Sequence, residues 1–276
     1  MTMFPPYPQP SARIGIVGVA FDGNSSWKAG AALAPSRIRA AFFKPSSNLW
    51  TESGVDLGAP GIFVDAGDIA PSSGSMNTDI LEAAGRLHGE GLRVIALGGD
   101  HSVSAPLVHA ASDHHGQLSI IHFDAHPDLY DNFEGNPESH ASPFARIMEN
   151  GWACRLVQVG IRTMNQHQRE QAQRFNVEVF GPEDLGALRR LVFEGPVYIS
   201  LDLDCLDPSC APGVSHQEPG GCTTREIVGL IKNLNARVVA ADIVEYNPVE
   251  DMNDMTAMVA AKLFKEISAK MLERAR

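Results

Sequence analysis

Short, continuously apolar runs alternate with helix-patterned segments along most of this chain, and that alternation leaves it few possible folds. A strand that is apolar at every position must be covered on both faces. That is the condition of a parallel sheet whose crossovers are helices. The runs fall at Arg13 to Phe21, Arg93 to Leu97, 118 to 124, 155 to 161, 177 to 180, 197 to 203 and 237 to 243, with Ile62 to Asp65 as a short edge strand. Between them, Pro35 opens a short helix, and Met76 to Gly91 carries Ile80, Leu81, Ala84 and Leu87 at helical spacing. Further helices are expected near 103–114, 141–150, 165–175, 182–193, 223–233 and 253–273. The expectation is one doubly wound α/β domain over residues 13–276, preceded by a Pro-rich lead-in at 1–12. Its sheet should be mostly parallel, with about seven or eight strands and helices on both faces.

In open parallel sheets ligands bind outside the carboxyl ends of the strands, and here those ends are polar. The stretch Ser119 to Asp128 closes on Asp124, His126 and Asp128 at every second position, and Tyr198 to Pro208 brings Asp202 and Asp204. An extended backbone turns alternate residues to one side, so each set is expected to share a face. His101 follows the strand ending at Leu97, and Glu245 follows the one ending at Ile243. Carboxylates gathered this closely would repel and take up protons unless a cation sits among them. Four carboxylates and two imidazoles suit Mn²⁺, with Ni²⁺ or Co²⁺ possible. Four negative charges balance two such ions and leave room for a bridging hydroxide, made available near neutral pH because paired metals lower the pKa of a shared water. Of the other histidines, His122 is expected in the core, turned away from the partners of Asp124.

The net charge of −11, with no basic run, argues against a nucleic-acid partner. No stretch of about 20 uninterrupted apolar residues offers a membrane span, and the first residues lack the charged and apolar regions of a secretory signal. Four irregularly spaced cysteines suggest free thiols, so the expected compartment is the cytoplasm.

The sequence resembles the ureohydrolase superfamily of arginases, agmatinases and related guanidino hydrolases. The resemblance rests on Gly-Gly-Asp-His-Ser at 98–102, Asp-Ala-His-Pro-Asp at 124–128, Ser-His-Ala-Ser-Pro-Phe at 139–144, Ser-Leu-Asp-Leu-Asp-Cys-Leu-Asp-Pro at 200–208 and Glu-Tyr-Asn-Pro at 245–248. Details at 133–136, 213–221 and 255–263 are most similar to the plant arginase branch. The resemblance implies two Mn²⁺ per subunit, one held by His101, Asp124, Asp128 and Asp202 and the other by Asp124, His126, Asp202 and Asp204. It also implies that Glu245 pairs with the guanidinium, where a carboxylate can hold the planar fork through two parallel bonds. His140 would give the departing amine its proton, its unperturbed pKa being ~6.5. Where many relatives have Gly after this histidine, the chain has Ala141.

The implied reaction is attack of the metal-bridging hydroxide on the guanidinium carbon, releasing urea and an amine. For the rest of the substrate, Asn136, Asn165 and His216 are the candidate contacts. Asn165 is neutral where animal-type arginases have an Asp, and Asn136 is near a position that meets an α-carboxylate. L-Arginine is the first reading, with agmatine, a nickel-dependent guanidine hydrolase and a non-catalytic partner subunit as alternatives. A homo-oligomer, hexamer or trimer, is also implied.

Overall fold

In a computed structural model, described at residues 3–188 and 191–273, eight strands form one sheet in which every pairing is parallel. The strands are β1 (Ile14–Val19), β2 (Phe63–Ile69), β3 (Arg93–Leu97), β4 (Leu118–Phe123), β5 (Ala153–Val159), β6 (Glu178–Phe180), β7 (Val192–Asp202) and β8 (Asn235–Val244). The helices are α1 (Ala34–Phe42), α2 (Met76–Gly89), α3 (Ser104–His115), α4 (Pro143–Glu149), α5 (Gln166–Arg174), α6 (Leu185–Leu188), α7 (Thr224–Asn233) and α8 (Met255–Leu272). The sheet order is β2-β1-β3-β8-β7-β4-β5-β6, so β3, β8, β7 and β4 are neighbours at its centre.

Apolar side chains from alternate positions of these strands feed two separate cores, as a sheet covered on both faces requires. Helices α1, α7 and α8 close one face around Phe42, Phe264 and Ile267; α2, α3 and α4 close the other around Ile80, Val108 and Phe144.

Three details depart from the sequence reading. The lead-in is part of the packed fold: Phe4 is buried in an aromatic cluster with Phe42, Phe63 and Phe264, and the chain at Pro5–Tyr7 hydrogen-bonds to Asp65 along β2. It thereby covers an edge strand that would otherwise present unpaired backbone groups. The edge strand expected at Ile62 to Asp65 is longer, reaching Ile69. The helix expected at 182–193 is a 3-10 turn plus the single turn of α6, and its positions 189–190 lie outside the described residues. By Val192 the chain is already in β7, where Phe193 enters the core.

The close fit at the end of β3 explains Gly99. The Asp100 N–H donates to the Phe21 carbonyl across 2.9 Å, and a Cβ on Gly99 would stand 1.6 Å from that same oxygen. Only glycine lets the two strand ends meet so closely.

Candidate metal centre

His101, Asp124, His126, Asp128, Asp202 and Asp204 lie at the carboxyl ends of β3, β4 and β7, and Glu245 lies at the end of β8 between them. All except His126 are buried. Strand alternation alone does not produce this convergence, because β4 ends at Phe123, β7 ends at Asp202, and Asp204 sits in a 3-10 turn. Asp128 and Glu245 occupy left-handed backbone, with φ of 48° and 60°. Non-glycine residues rarely adopt that conformation, and it costs roughly 1 to 3 kcal/mol when held by surrounding structure.

The group divides around Asp124. His101 Nδ1 stands 3.2 Å from Asp124 Oδ2, 3.0 Å from Asp128 Oδ2 and 3.2 Å from Asp202 Oδ2. On the other side, His126 Nδ1 stands 3.0 Å from Asp204 Oδ2 and 3.4 Å from Asp124 Oδ1. Backbone amides fix the carboxylates: His126 N–H donates to Asp124, Ala125 N–H to Asp204, and Asp204 N–H to Asp202.

Whether a cation belongs here can be tested on His101. Its Nε2 is 3.0 Å from the Ser200 hydroxyl, which donates its only proton to Asp242 Oδ1 at 2.8 Å. Ser200 must therefore accept from Nε2–H, so in the neutral ring Nδ1 carries the lone pair; Asp124, Asp128 and Asp202 outweigh burial and push the imidazole well above its ordinary pKa, favouring a proton on Nδ1 until a metal cation takes its place. That lone pair faces three carboxylate oxygens, none in hydrogen-bond geometry with it, and Nδ1 is a buried nitrogen without a partner. Lone pairs crowded to about 3 Å need positive charge between them, so the donor set fits a divalent metal. The fit extends to charge. Burial and the neighbouring carboxylates push Asp204 up to about 6 and Asp202 well above the ordinary carboxylate range. Burial acts the same way on Asp124, but His122, His101 and His126 hold its carboxyl well below that range.

Several supporting groups escaped the sequence reading. His122 does not turn away from Asp124: its Nε2 donates to Asp124 Oδ2 at 2.7 Å, while Gln158 Nε2 donates to its Nδ1. Both histidines pack on Phe144, whose ring stacks on His122 at 3.8 Å between centroids. Tyr198 donates to Asp242 Oδ2 at 2.7 Å, so Tyr198 and Ser200, two residues apart on β7, brace one carboxylate of β8. Two signals were available. A charged residue in the apolar run of β8 is one, and the shared face of positions 122 and 124 is the other.

Toward solvent, His140 lies against Glu245. Its Nδ1 donates to Glu245 Oε1 at 2.9 Å, and the same oxygen accepts the His101 backbone N–H. Burial opposes a charge on His140, but the Glu245 carboxylate outweighs it and pushes the imidazole up to about 9. Burial likewise opposes the charge on Glu245, and His140 holds it below its ordinary value. The Ser26 N–H, 3.1 Å from His140 Nε2, works the other way, since it requires a lone pair there. Ala141 is not among the residues with positive φ, so this loop does not need a glycine.

His216 stands at the mouth, its ring 5.2 Å from that of His140 and 5.8 Å from that of His126. Glu218 Oε1, 3.8 Å from His126 Nε2, is a mouth residue that the sequence did not single out. Asn136 donates from Nδ2 to Asn24 Oδ1 and accepts the Glu138 N–H. Asn165 is the N-cap of α5: its Oδ1 accepts the Gln168 N–H and its Nδ2 donates to the Tyr130 hydroxyl, so its amide is committed to the fold.

A family model described as "Arginase family" matches residues 12–269. "Arginase 1, mitochondrial" of Arabidopsis thaliana is 48% identical over 278 residues, covering 94% of this chain and 81% of that protein. "Agmatinase" of Serratia proteamaculans (strain 568) is 34% identical over 281 residues, covering 96% of this chain and 89% of that protein. Among solved structures, "Arginase from Medicago truncatula" superposes with a TM-score of 0.89 at 44% identity, covering 95% of this chain and 88% of that one. Three central strand ends carrying His and Asp donors and a fourth carrying Glu245, within a match that spans nearly the whole sequence, place the chain in the arginase family.

Proposed function

We propose that this enzyme hydrolyses L-arginine to L-ornithine and urea at a two-metal centre. The observation that carries the chemistry is the bare, buried Nδ1 of His101 facing three carboxylates, an arrangement suited to a divalent ion. His101, Asp124, Asp128 and Asp202 would hold one metal, and Asp124, His126, Asp202 and Asp204 the other, with Asp124 and Asp202 shared. Mn²⁺ is the proposed ion on the hardness of this set, with Ni²⁺ or Co²⁺ as its competitors. When bound, such a pair supplies a hydroxide nucleophile near neutral pH and positive charge for the tetrahedral intermediate.

The protein's own groups supply orientation and protons. Among the described residues Glu245 Oε2 takes no hydrogen bond, so it is the oxygen available to a guanidinium N–H, while Oε1 stays anchored on the His101 N–H. A two-bond grip on the fork needs His140 to release Oε1. His140, once it carries a second proton, gives one to the departing amine. Asn136 and His216 border the mouth and are proposed to meet the amino-acid end of the substrate. Asn165 could join them only by giving up its cap or the Tyr130 hydroxyl.

The arginine reading is supported by the 48% identity to a plant protein named arginase, against 34% to one named agmatinase. Urea release from L-arginine, agmatine and guanidine by Mn²⁺-loaded and Ni²⁺-loaded protein tests it; faster turnover of agmatine or guanidine would overturn the substrate, and two bound metals with no urea from any would overturn the reaction. No helix among the described residues is long and apolar enough to cross a membrane. The cysteines are free, which suits a reducing compartment. The cytoplasm is the proposed one, although several plant relatives are named mitochondrial. A homo-oligomer, trimer or hexamer, is proposed on the exposed Trp50, Val249 and Met252, which a subunit contact would cover, and sedimentation of the loaded protein tests it.

A further inference from the structure

The loop between β1 and α1 hydrogen-bonds to the segments that bear His101, Asn136, His140, His216 and Glu245. Asn24 N–H donates to Asp100 Oδ2 at 2.9 Å, and the Asn24 carbonyl accepts the His140 N–H at 3.3 Å. The Lys28 carbonyl accepts the Ser215 hydroxyl, and the Ala29 carbonyl accepts Asn247 Nδ2. Held between these anchors, Ser26 presents two groups to one atom: its N–H is 3.1 Å and its hydroxyl 2.8 Å from His140 Nε2. With Glu245 Oε1 at 2.9 Å from Nδ1, the three side chains form a line, Glu245–His140–Ser26.

The two ends of that line differ in what they can do. Glu245 only accepts at Nδ1, and the Ser26 N–H only donates at Nε2. The hydroxyl alone can do either, donating to a bare Nε2 and accepting from Nε2–H. This matters for proton delivery. When the imidazolium serves the departing amine, the N–H bond at Nδ1 breaks and a new N–H bond forms on the leaving nitrogen. The ring is left neutral with its remaining proton on Nε2. Nε2 is bare when the resting ring holds its one proton on Nδ1 and carries a proton both before and after this transfer, so over the cycle it needs a partner that can change from donor to acceptor.

We propose that Ser26 is a positioning residue for His140, its hydroxyl serving as the reversible partner of Nε2 while the loop at 22–30 keeps Nδ1 aimed at Glu245. The inference rests on the assignment of His140 as proton donor, and it adds the group that lets that histidine change state in place.

Two measurements test it separately from that assignment. The first is a cycle of Ser26→Ala, His140→Asn and the double variant, read as kcat and KM for urea release by the Mn²⁺-loaded enzyme. Ser26→Ala keeps the N–H but removes the reversible partner, so kcat should fall about 3- to 10-fold, the size of one hydrogen bond, with KM changed less than about twofold. Ser26→Thr should restore kcat, and in the His140→Asn background Ser26→Ala should add nothing. An equal loss with and without His140, or no loss at all, overturns the proposal. The second measurement does not depend on turnover. ¹⁵N-histidine spectra of protein loaded with a diamagnetic divalent ion, with the His140 signals identified by their absence in His140→Asn, report which ring nitrogen carries the proton. Ser26→Ala should change the His140 pattern and leave that of His101 alone. An unchanged His140 pattern overturns the proposal, whereas a changed pattern in an enzyme whose His140→Asn variant keeps full activity overturns the proton-donor reading and leaves the Ser26 contact standing.

Discussion

Ser200→Ala is the perturbation that most directly examines why His101 faces the carboxylates as it does. The hydroxyl accepts from His101 Nε2 and donates to Asp242 Oδ1, and all three residues are fully buried. Its removal leaves the Nε2–H without an acceptor at a cost of ~1 to 3 kcal/mol, and takes from a buried carboxylate one of its two side-chain donors at ~1.5 to 3 kcal/mol. The sum, about 2.5 to 6 kcal/mol, is a large share of the ~5 to 15 kcal/mol that holds a typical domain folded. The metal should suffer as well, because ligand-orienting partners of this kind are typically worth ~10- to 100-fold in affinity. Urea unfolding followed by circular dichroism, with and without Mn²⁺, gives the first quantity; metal content after dialysis against buffered Mn²⁺ gives the second. Tyr198→Phe is the control, since it removes the other donor to Asp242 without touching His101. It should destabilise the fold and spare the metal. A loss under about 1 kcal/mol for Ser200→Ala, or metal binding equal to that of Tyr198→Phe, would refute the tautomer argument on which the cation site rests.

Glu245→Gln should retain metal and raise KM for arginine about 10- to 100-fold, the worth of a hydrogen bond to a charged group, and saturation kinetics like the parent's would remove Glu245 from substrate capture. Gly99→Ala would set a Cβ against the Phe21 carbonyl, and, as overpacking against backbone, should cost ~3 kcal/mol or more; an unchanged urea midpoint would mean the β1 and β3 ends are not locked as described. Asp202 and Asp204, raised above their unfolded values, keep protons in the metal-free fold that the unfolded chain has already lost. His140, which Glu245 pushes up to about 9, does the same, so acidification from about pH 9 to about 6.5 should raise the melting temperature of metal-free protein; Asp204 adds to this only below about 6, where His88, which burial pushes down to about 3, already favours unfolding below its ordinary ~6.5. Melting curves with the opposite slope over that window would contradict the assignment.

The fold was legible because its signal is redundant: continuous apolar runs at β1, β3, β4, β5, β7 and β8 each demand two covered faces, and one error at α6 changes nothing downstream. The donors were legible for another reason. Carboxylates at the ends of buried strands have few structural uses, whereas the alternation invoked to gather them stops at Phe123 and Asp202. What aims Asp128 and Glu245 is left-handed backbone, which their residue types do not announce. Supporting contacts were hidden more deeply, since they join residues far apart in sequence. Nothing local to Ser26 points to His140, and nothing local to Asp242 points to Ser200. Asn165 shows the reverse failure, a polar residue near the mouth whose amide is taken up by a helix start.

The buried carboxylates of the centre share one burial and differ in charge preference, and the difference has a structural origin. Asp124 is flanked by His101, His122 and His126, whereas Asp202 and Asp204 sit beside each other on β7 and its following turn. Asp124 on the β4 side of the centre is thus ionised by its own imidazoles, and Asp202 on the β7 side needs an external cation to become so. Divalent ions entering such a site must displace protons from Asp202, Asp204 and the flanking imidazoles, so the affinity for metal rises with pH and the stability gained on loading is largest where the metal-free fold is weakest. The polar apparatus around Asp242 orients the other side: Tyr198 and Ser200 both donate to that carboxylate, and Ser200, so committed, can only accept from His101 Nε2, which turns Nδ1 toward the centre.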